Sequence, residues 1–223
     1  NTHCIRLVLS FFTDVCGIPK EQMVATIYRD DDEAHEIWTG QIGLPPERVF
    51  RFGEKENFWP AEAPSKGPNG PCGPCSEIYF DNDPGAPLPA QQGLHELPSK
   101  RFLEIGNCVF TQFDRQSDGA LSPLPQKNID VGLGLERIVA VLQGARNNFE
   151  TDLFRPYLEH LGERTGTAYG KDGKRDVRMR RIADHVRAIT FCIADGALPS
   201  NEGRGYVVRK ILRRAARDGF ELG

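Results

Sequence analysis

From Asn128 the chain alternates in polarity to Gly132, passes Gly132 and Gly134 one residue apart, and returns to helically spaced apolar residues from Leu133 to Gln143. A strand here runs through a glycine turn straight into a helix, and that helix needs a sheet to lie on. Such a junction also suits a ligand. Glycines let the backbone approach closely. Arg137, on the helix, can stack its flat guanidinium on an aromatic base or hold a phosphate. Asp130, at the strand end, can take the positive charge of a bound amine. Many turns of this kind serve only to pack a helix on a sheet, so these residues alone leave both readings open.

The flanking sequence supplies the sheet. The patterning predicts a helix over residues 4–15, ended by Gly17-Ile18-Pro19, then strands over 23–29, 48–52, 76–81 and 102–113. A helix starts at Asp30-Asp31-Asp32-Glu33, where Asp30 or Asp31 can cap it, and ends near Gly43. Residues 58–75 are rich in Gly and Pro and read as a long loop, functional if ordered. Residues 82–98 read as a surface insertion. Helices follow over 152–162, 178–195 and 202–217, with a linker at 165–176. The expected class is α+β: an antiparallel sheet followed by an α-helical domain, divided as residues 1–170 and 171–223.

No apolar run nears the roughly 18 residues of a membrane span. The six cysteines are scattered, and a chain this rich in core residues needs no disulfide framework, which points to reduced thiols and a cytoplasmic setting. The start at Asn1-Thr2-His3-Cys4, without Met, reads as a cut through a longer protein. The net charge of −3 conceals an asymmetry. Residues 174–217 hold 12 Lys and Arg against 4 Asp and Glu, whereas residues 1–173 hold 16 against 25. A basic end on an acidic body suits a polyanion, because such side chains displace counterions from phosphates; a solvated helical face is the plainer account. Cys72-Gly73-Pro74-Cys75 has zinc-knuckle spacing but needs two further ligands. His185, beside Asp184, reads as a helix-packing residue.

Gly132-Leu133-Gly134-Leu135-Glu136-Arg137 after a strand resembles motif 3 of class II aminoacyl-tRNA synthetases, whose Arg packs on the ATP adenine. Other stretches resemble the alanine enzymes of that class. They are Asn57-Phe58-Trp59, residues 70–78 from Gly70 to Ile78, residues 106–113 from Gly106 to Phe113, residues 181–187 from Arg181 to Arg187, and residues 198–209 from Leu198 to Arg209. They follow one another in family order along nearly the whole chain.

The resemblance implies a class II catalytic sheet and an ATP-dependent ligation of alanine to tRNA, with Mg²⁺ accompanying ATP. It makes Asp130 the partner of the alanine ammonium. It makes Trp59, Asn107, Val109 and Gly132 the walls of a small pocket, and Gly132, Gly134 and Arg137 the ATP contacts. A pocket for a methyl group discriminates modestly, since one methylene is worth about 1–3 kcal/mol. The family answers this with a separate editing domain, of which these 223 residues carry no sign. For tRNA the resemblance points to Asn201 at a base edge and Arg204 at the backbone, with Arg209, Arg213 and Arg214 on the basic helix behind them. Some alanine enzymes place two His after the CxxC. Here Asn82 and Asp83 stand in that stretch and the next His is His95, so no metal site is expected and zinc at Cys72 and Cys75 is disfavoured.

Class II sites also use motif 1, for assembly, and motif 2, whose Arg contacts the ATP α-phosphate. Neither has a match in these residues, so a sheet with an uncovered edge and weak activity of this segment alone are expected. The rival reading is a non-catalytic, synthetase-like paralogue that binds RNA through residues 174–217.

Overall fold

The computed structural model describes residues 1–90 and 101–223. Part of the expected 82–98 insertion, including His95, lies outside the described residues. Two compact units are present, Asn1–Leu142 and Gln143–Gly223. The division expected at residue 170 thus falls inside the second unit, because helix α4 (Arg155–Thr165) shares a core with the helices that follow it.

The first unit is an α+β body. Its strands are β1 (Met23–Tyr28), β2 (Val49–Phe52), β3 (Phe58–Trp59), β4 (Gly70–Asp81), β5 (Phe102–Arg115) and β6 (Leu121–Leu133). The sheet order is β2-β1-β4-β5-β6, with β3 paired to β4. All pairings are antiparallel except β1 with β2. That parallel pair departs from the expected antiparallel sheet. Its cause is the crossover between the two strands, which contains α2 (Asp32–Glu36), since parallel neighbours need such a connection. Asp31 caps α2, its Oδ1 accepting from Ala34 N at 2.9 Å.

Helix α1 (Thr2–Ser10) and the wider π turn Phe11–Val15 cover one sheet face. Ile5, Val8, Leu9 and Phe12 pack there with Ala25, Ile27, Trp38, Ile78, Ile105 and Phe110. Burying each large side chain contributes about 1.5–3 kcal/mol. The Trp38 indole also donates to Ser76 Oγ at 2.8 Å, so its polar atom is satisfied inside the core. The other face is divided. Val24, Phe50, Phe52, Tyr79 and Phe102 form a small apolar cluster at the β1–β2 end, and polar side chains occupy the β4–β6 end. At the far end of β4 the wholly buried Asp81 accepts from Arg101 Nε and Nη2 at 2.7 and 2.9 Å, with Arg48 at 3.5 Å. Burial alone would raise its pKa; the arginines and the Asp83 amide outweigh it and hold the carboxyl below its usual range.

Two strands are longer than expected, and the added part of the first falls within the expected 58–75 loop. β4 begins at Gly70, not residue 76, and β6 at Leu121, not 128. β6 is the sheet edge, and Ile129, Val131 and Leu133 remain 49%, 39% and 42% exposed along it.

The second unit packs α4, α5 (Gly173–Ala194) and α6 (Gly203–Leu222) around Phe154, Leu158, Met179, Ile182, Ala183 and Leu222. α5 starts within the expected linker because Asp172 caps it, its side chain accepting from Lys174 N and Arg175 N.

Candidate functional site

Cross-strand register brings the expected pocket residues together. Glu77 of β4 stands opposite Asn107 of β5, and Asn107 opposite Gly132 of β6. Two residues along, Cys75, Val109 and Asp130 form a second row. Side chains two apart on a strand share a face, so Asn107, Val109, Asp130 and Gly132 lie on the face opposite α1. Val109 is buried. Asp130 is exposed, and among the described residues its Oδ1 accepts only a local hydrogen bond, from Val131 N at 2.9 Å. The cramped hollow expected around Asp130 is therefore an open sheet face in this chain.

Trp59 stands opposite Gly73 of β4 and is half exposed. Gly73 admits no larger residue: a Cβ there would lie 2.0 Å from the Phe110 carbonyl oxygen. That close approach accompanies the register shift between Cys72 and Cys75. Gly134 has a different reason. A Cβ on it would sit 3.3 Å from Arg137 Cδ, so the missing side chain leaves room for the arginine. Gly132 has nothing within 4 Å of where its Cβ would be.

Arg137, on α3 (Leu135–Leu142), is partly exposed, and its guanidinium is engaged. Its Nη1 donates to Glu104 Oε2 at 2.6 Å and to the Glu104 carbonyl at 3.0 Å. Glu104 was not anticipated from sequence. Nor was Glu77, whose Oε2 accepts from Tyr79 Oη at 2.7 Å and Thr26 Oγ1 at 3.4 Å. Burial, reinforced by the Glu104 and Glu56 charges, pushes the Glu77 carboxyl up to about 7. Burial also pushes the Cys75 thiol up to about 12 and raises that of Cys72, so both stay protonated. Both thiols are free and buried. The signal that could have found Glu77 and Glu104 is strand alternation: Glu77 pairs directly with Asn107, and Glu104 reaches that face only through the irregularity between Ile78 and Tyr79.

In the second unit, many of the basic side chains are occupied. Arg178 pairs with Glu221, Arg181 with the buried Asp218, and Arg175 donates to the Leu222 carbonyl. Arg204, Lys210, Arg213 and Arg214 of α6 are exposed. Asn201 accepts from Arg209 Nη1 at 2.5 Å, so those two expected contacts are joined to each other. Arg204 lines a hollow of about 680 Å³ with Asp195, Ser200 and Glu202. His185 Nδ1 lies 2.8 Å from Asp184 Oδ2, and its Nε2 is buried without a partner among the described residues.

A sheet of this order carrying a strand-glycine-helix junction defines a class, and the whole chain, residues 1–223, matches the family description "tRNA synthetases class II (A)". The chain belongs to this family. It is 50% identical over 213 residues to the alanine–tRNA ligase of Acidithiobacillus ferridurans, covering 96% of this chain and 24% of that protein. It is also 50% identical over 220 residues to the alanine–tRNA ligase of Oleidesulfovibrio alaskensis, and 48% identical over 219 to that of Halorhodospira halophila. The chain thus spans about a quarter of the length of these relatives (24% in each case).

Proposed function

We propose that this chain is part of the catalytic region of an enzyme that joins alanine to tRNA through alanyl-adenylate. The observation that carries the reading is the shared face: Asn107, Val109, Asp130 and Gly132 form two adjacent rows beside the turn that leads to Arg137. In the first step the alanine carboxylate attacks the α-phosphate of ATP, and pyrophosphate leaves. In the second the terminal ribose hydroxyl of tRNA attacks the acyl carbon and AMP leaves. Chemistry of this kind depends on positioning and charge stabilisation.

Asp130 takes the ammonium, its exposed carboxylate having, among the described residues, only the Val131 amide to give up. Gly132 leaves open space above the backbone for the adenylate. Arg137 lies on the adenine once it parts from Glu104. The Mg²⁺ that comes with ATP takes oxygen ligands. Glu77 and Glu104 are the carboxylates near this face that supply that donor type. In the second unit, exposed Arg204, Arg213 and Arg214 meet the tRNA backbone, with Asn201 and Arg209 at its edge.

Alanine-dependent pyrophosphate exchange by the full-length protein tests the reading. The 223-residue chain alone is expected to be slower by about a hundredfold or more, as when a main stabiliser of transition-state charge is removed. Equal rates for the two would contradict this assignment of parts. No alanine-dependent exchange by the full-length protein would contradict the reading itself.

A further inference from the structure

Trp59 belongs to a strand of only two residues, too short to fix itself, and its ring is half exposed. What fixes it is the residue two before it. Asn57 is wholly buried. Its Nδ2 donates to Thr26 Oγ1 on β1 at 2.9 Å and to the Cys75 carbonyl on β4 at 3.2 Å. Its own carbonyl accepts from Cys75 N at 3.0 Å, and its amide donates to the Gly53 carbonyl at 2.9 Å. The Thr26 hydroxyl passes the constraint on to Glu77.

Asn57 also reaches the opposite wall of the expected pocket. Cys75, which Asn57 holds at both its amide and its carbonyl, stands opposite Val109 on β5, two residues from Asn107. The strand carrying Trp59 and the β5 residue Asn107 are therefore joined through the β4 backbone at Cys75. Among the described residues, the Oδ1 of each asparagine is buried without a hydrogen-bond partner.

We propose that Asn57 is the positioning residue of the amino-acid pocket: it sets the distance between Trp59 and Asn107, and with it the size of side chain admitted. The inference rests on the reading of this face as an amino-acid site. Asn57 acts through Trp59 and touches no reacting atom. Releasing it lets the Trp59 strand move away from Asn107, which loosens contact with a methyl group and relieves exclusion of a larger one.

The test is alanine- and serine-dependent pyrophosphate exchange by the full-length protein, with kcat and KM measured for each amino acid. Asn57→Ala is expected to raise the alanine KM and lower the preference for alanine over serine by about tenfold, the scale of one small group in a pocket. The alanine kcat should stay within about twofold, because binding rather than chemistry is altered. Thr26→Val removes one of the two anchors of the Asn57 amide without emptying the core and should shift the preference the same way to a smaller extent, and Thr26→Ser should restore it. Equal losses for the two amino acids, or a fall in kcat at constant KM, would overturn the inference and leave the amino-acid reading intact. If the unmodified protein shows no alanine-dependent exchange, both fall together.

Discussion

Arg137 Nη1 and Glu104 Oε2 lie 2.6 Å apart, tying the helix after the glycine turn back to β5. The guanidinium that the proposed reaction lays on adenine is thus already engaged, and ATP must compete with Glu104 for it. Both side chains are partly exposed, at 39% and 28%, and pairs in that setting contribute little to stability, about 0–1 kcal/mol. Arg137→Ala should therefore leave the thermal midpoint nearly unchanged. In the full-length protein it should reduce pyrophosphate exchange by about a hundredfold. Calorimetric melting and an exchange assay on one preparation check both halves; a large drop in melting temperature would make Arg137 a structural residue.

Glu77 gives a pH signature. Its folded carboxyl titrates at about 7, above the ordinary 4.5, so the native state holds its proton more tightly than the unfolded state does. Stability from this group is present below 4.5 and is lost as pH rises toward 7. Glu77→Gln keeps an acceptor for Tyr79 and Thr26 and removes the titration. The variant should match the parent near pH 5 and exceed it at pH 8, by on the order of 1–3 kcal/mol in urea unfolding. A constant difference across that range would show that Glu77 does not titrate there.

The β6 edge carries a different liability. Ile129, Val131 and Leu133 are exposed on the core-side face, opposite Phe110, Cys108 and Gly106, on a strand whose outer edge is unpaired in the described sheet. Exposed apolar edges template association. The 223-residue chain should self-associate in a concentration-dependent way, and Val131→Lys should suppress it. Sedimentation velocity would decide, with identical profiles for the two chains counting against the edge as the cause.

Much of this architecture could be read from residue patterns, and the misses have identifiable causes. Alternation and the glycine pair located the junction from β6 to α3 within a few residues. The missed start of β4 lies in Gly70-Pro71-Cys72-Gly73-Pro74-Cys75, whose composition argues for a loop; tertiary pairing with Asp114 and Phe113 overrides it. In β6, Pro123 and Pro125 fit within the strand because an edge strand tolerates residues that cannot donate. The Asp172 cap was hidden in a stretch of glycines and charges that reads as linker. Glu77, Glu104 and Asn57 could not be picked out because their meaning lies in register, bulges and burial. Charge counting overstated the basic surface, because Arg175, Arg178 and Arg181 are spent inside the helical unit.

The most direct measurement is calorimetry of the full-length protein with a non-hydrolysable alanyl-adenylate analogue, set against the same analogue without its amino group. The unmodified protein should prefer the amine-bearing form, and Asp130→Ala should weaken that form alone by about 10- to 100-fold, the scale of a hydrogen bond to a charged group. If Asp130→Ala binds both forms as tightly as the unmodified protein does, the Asp130 carboxylate does not receive the amine and the account of this face is wrong.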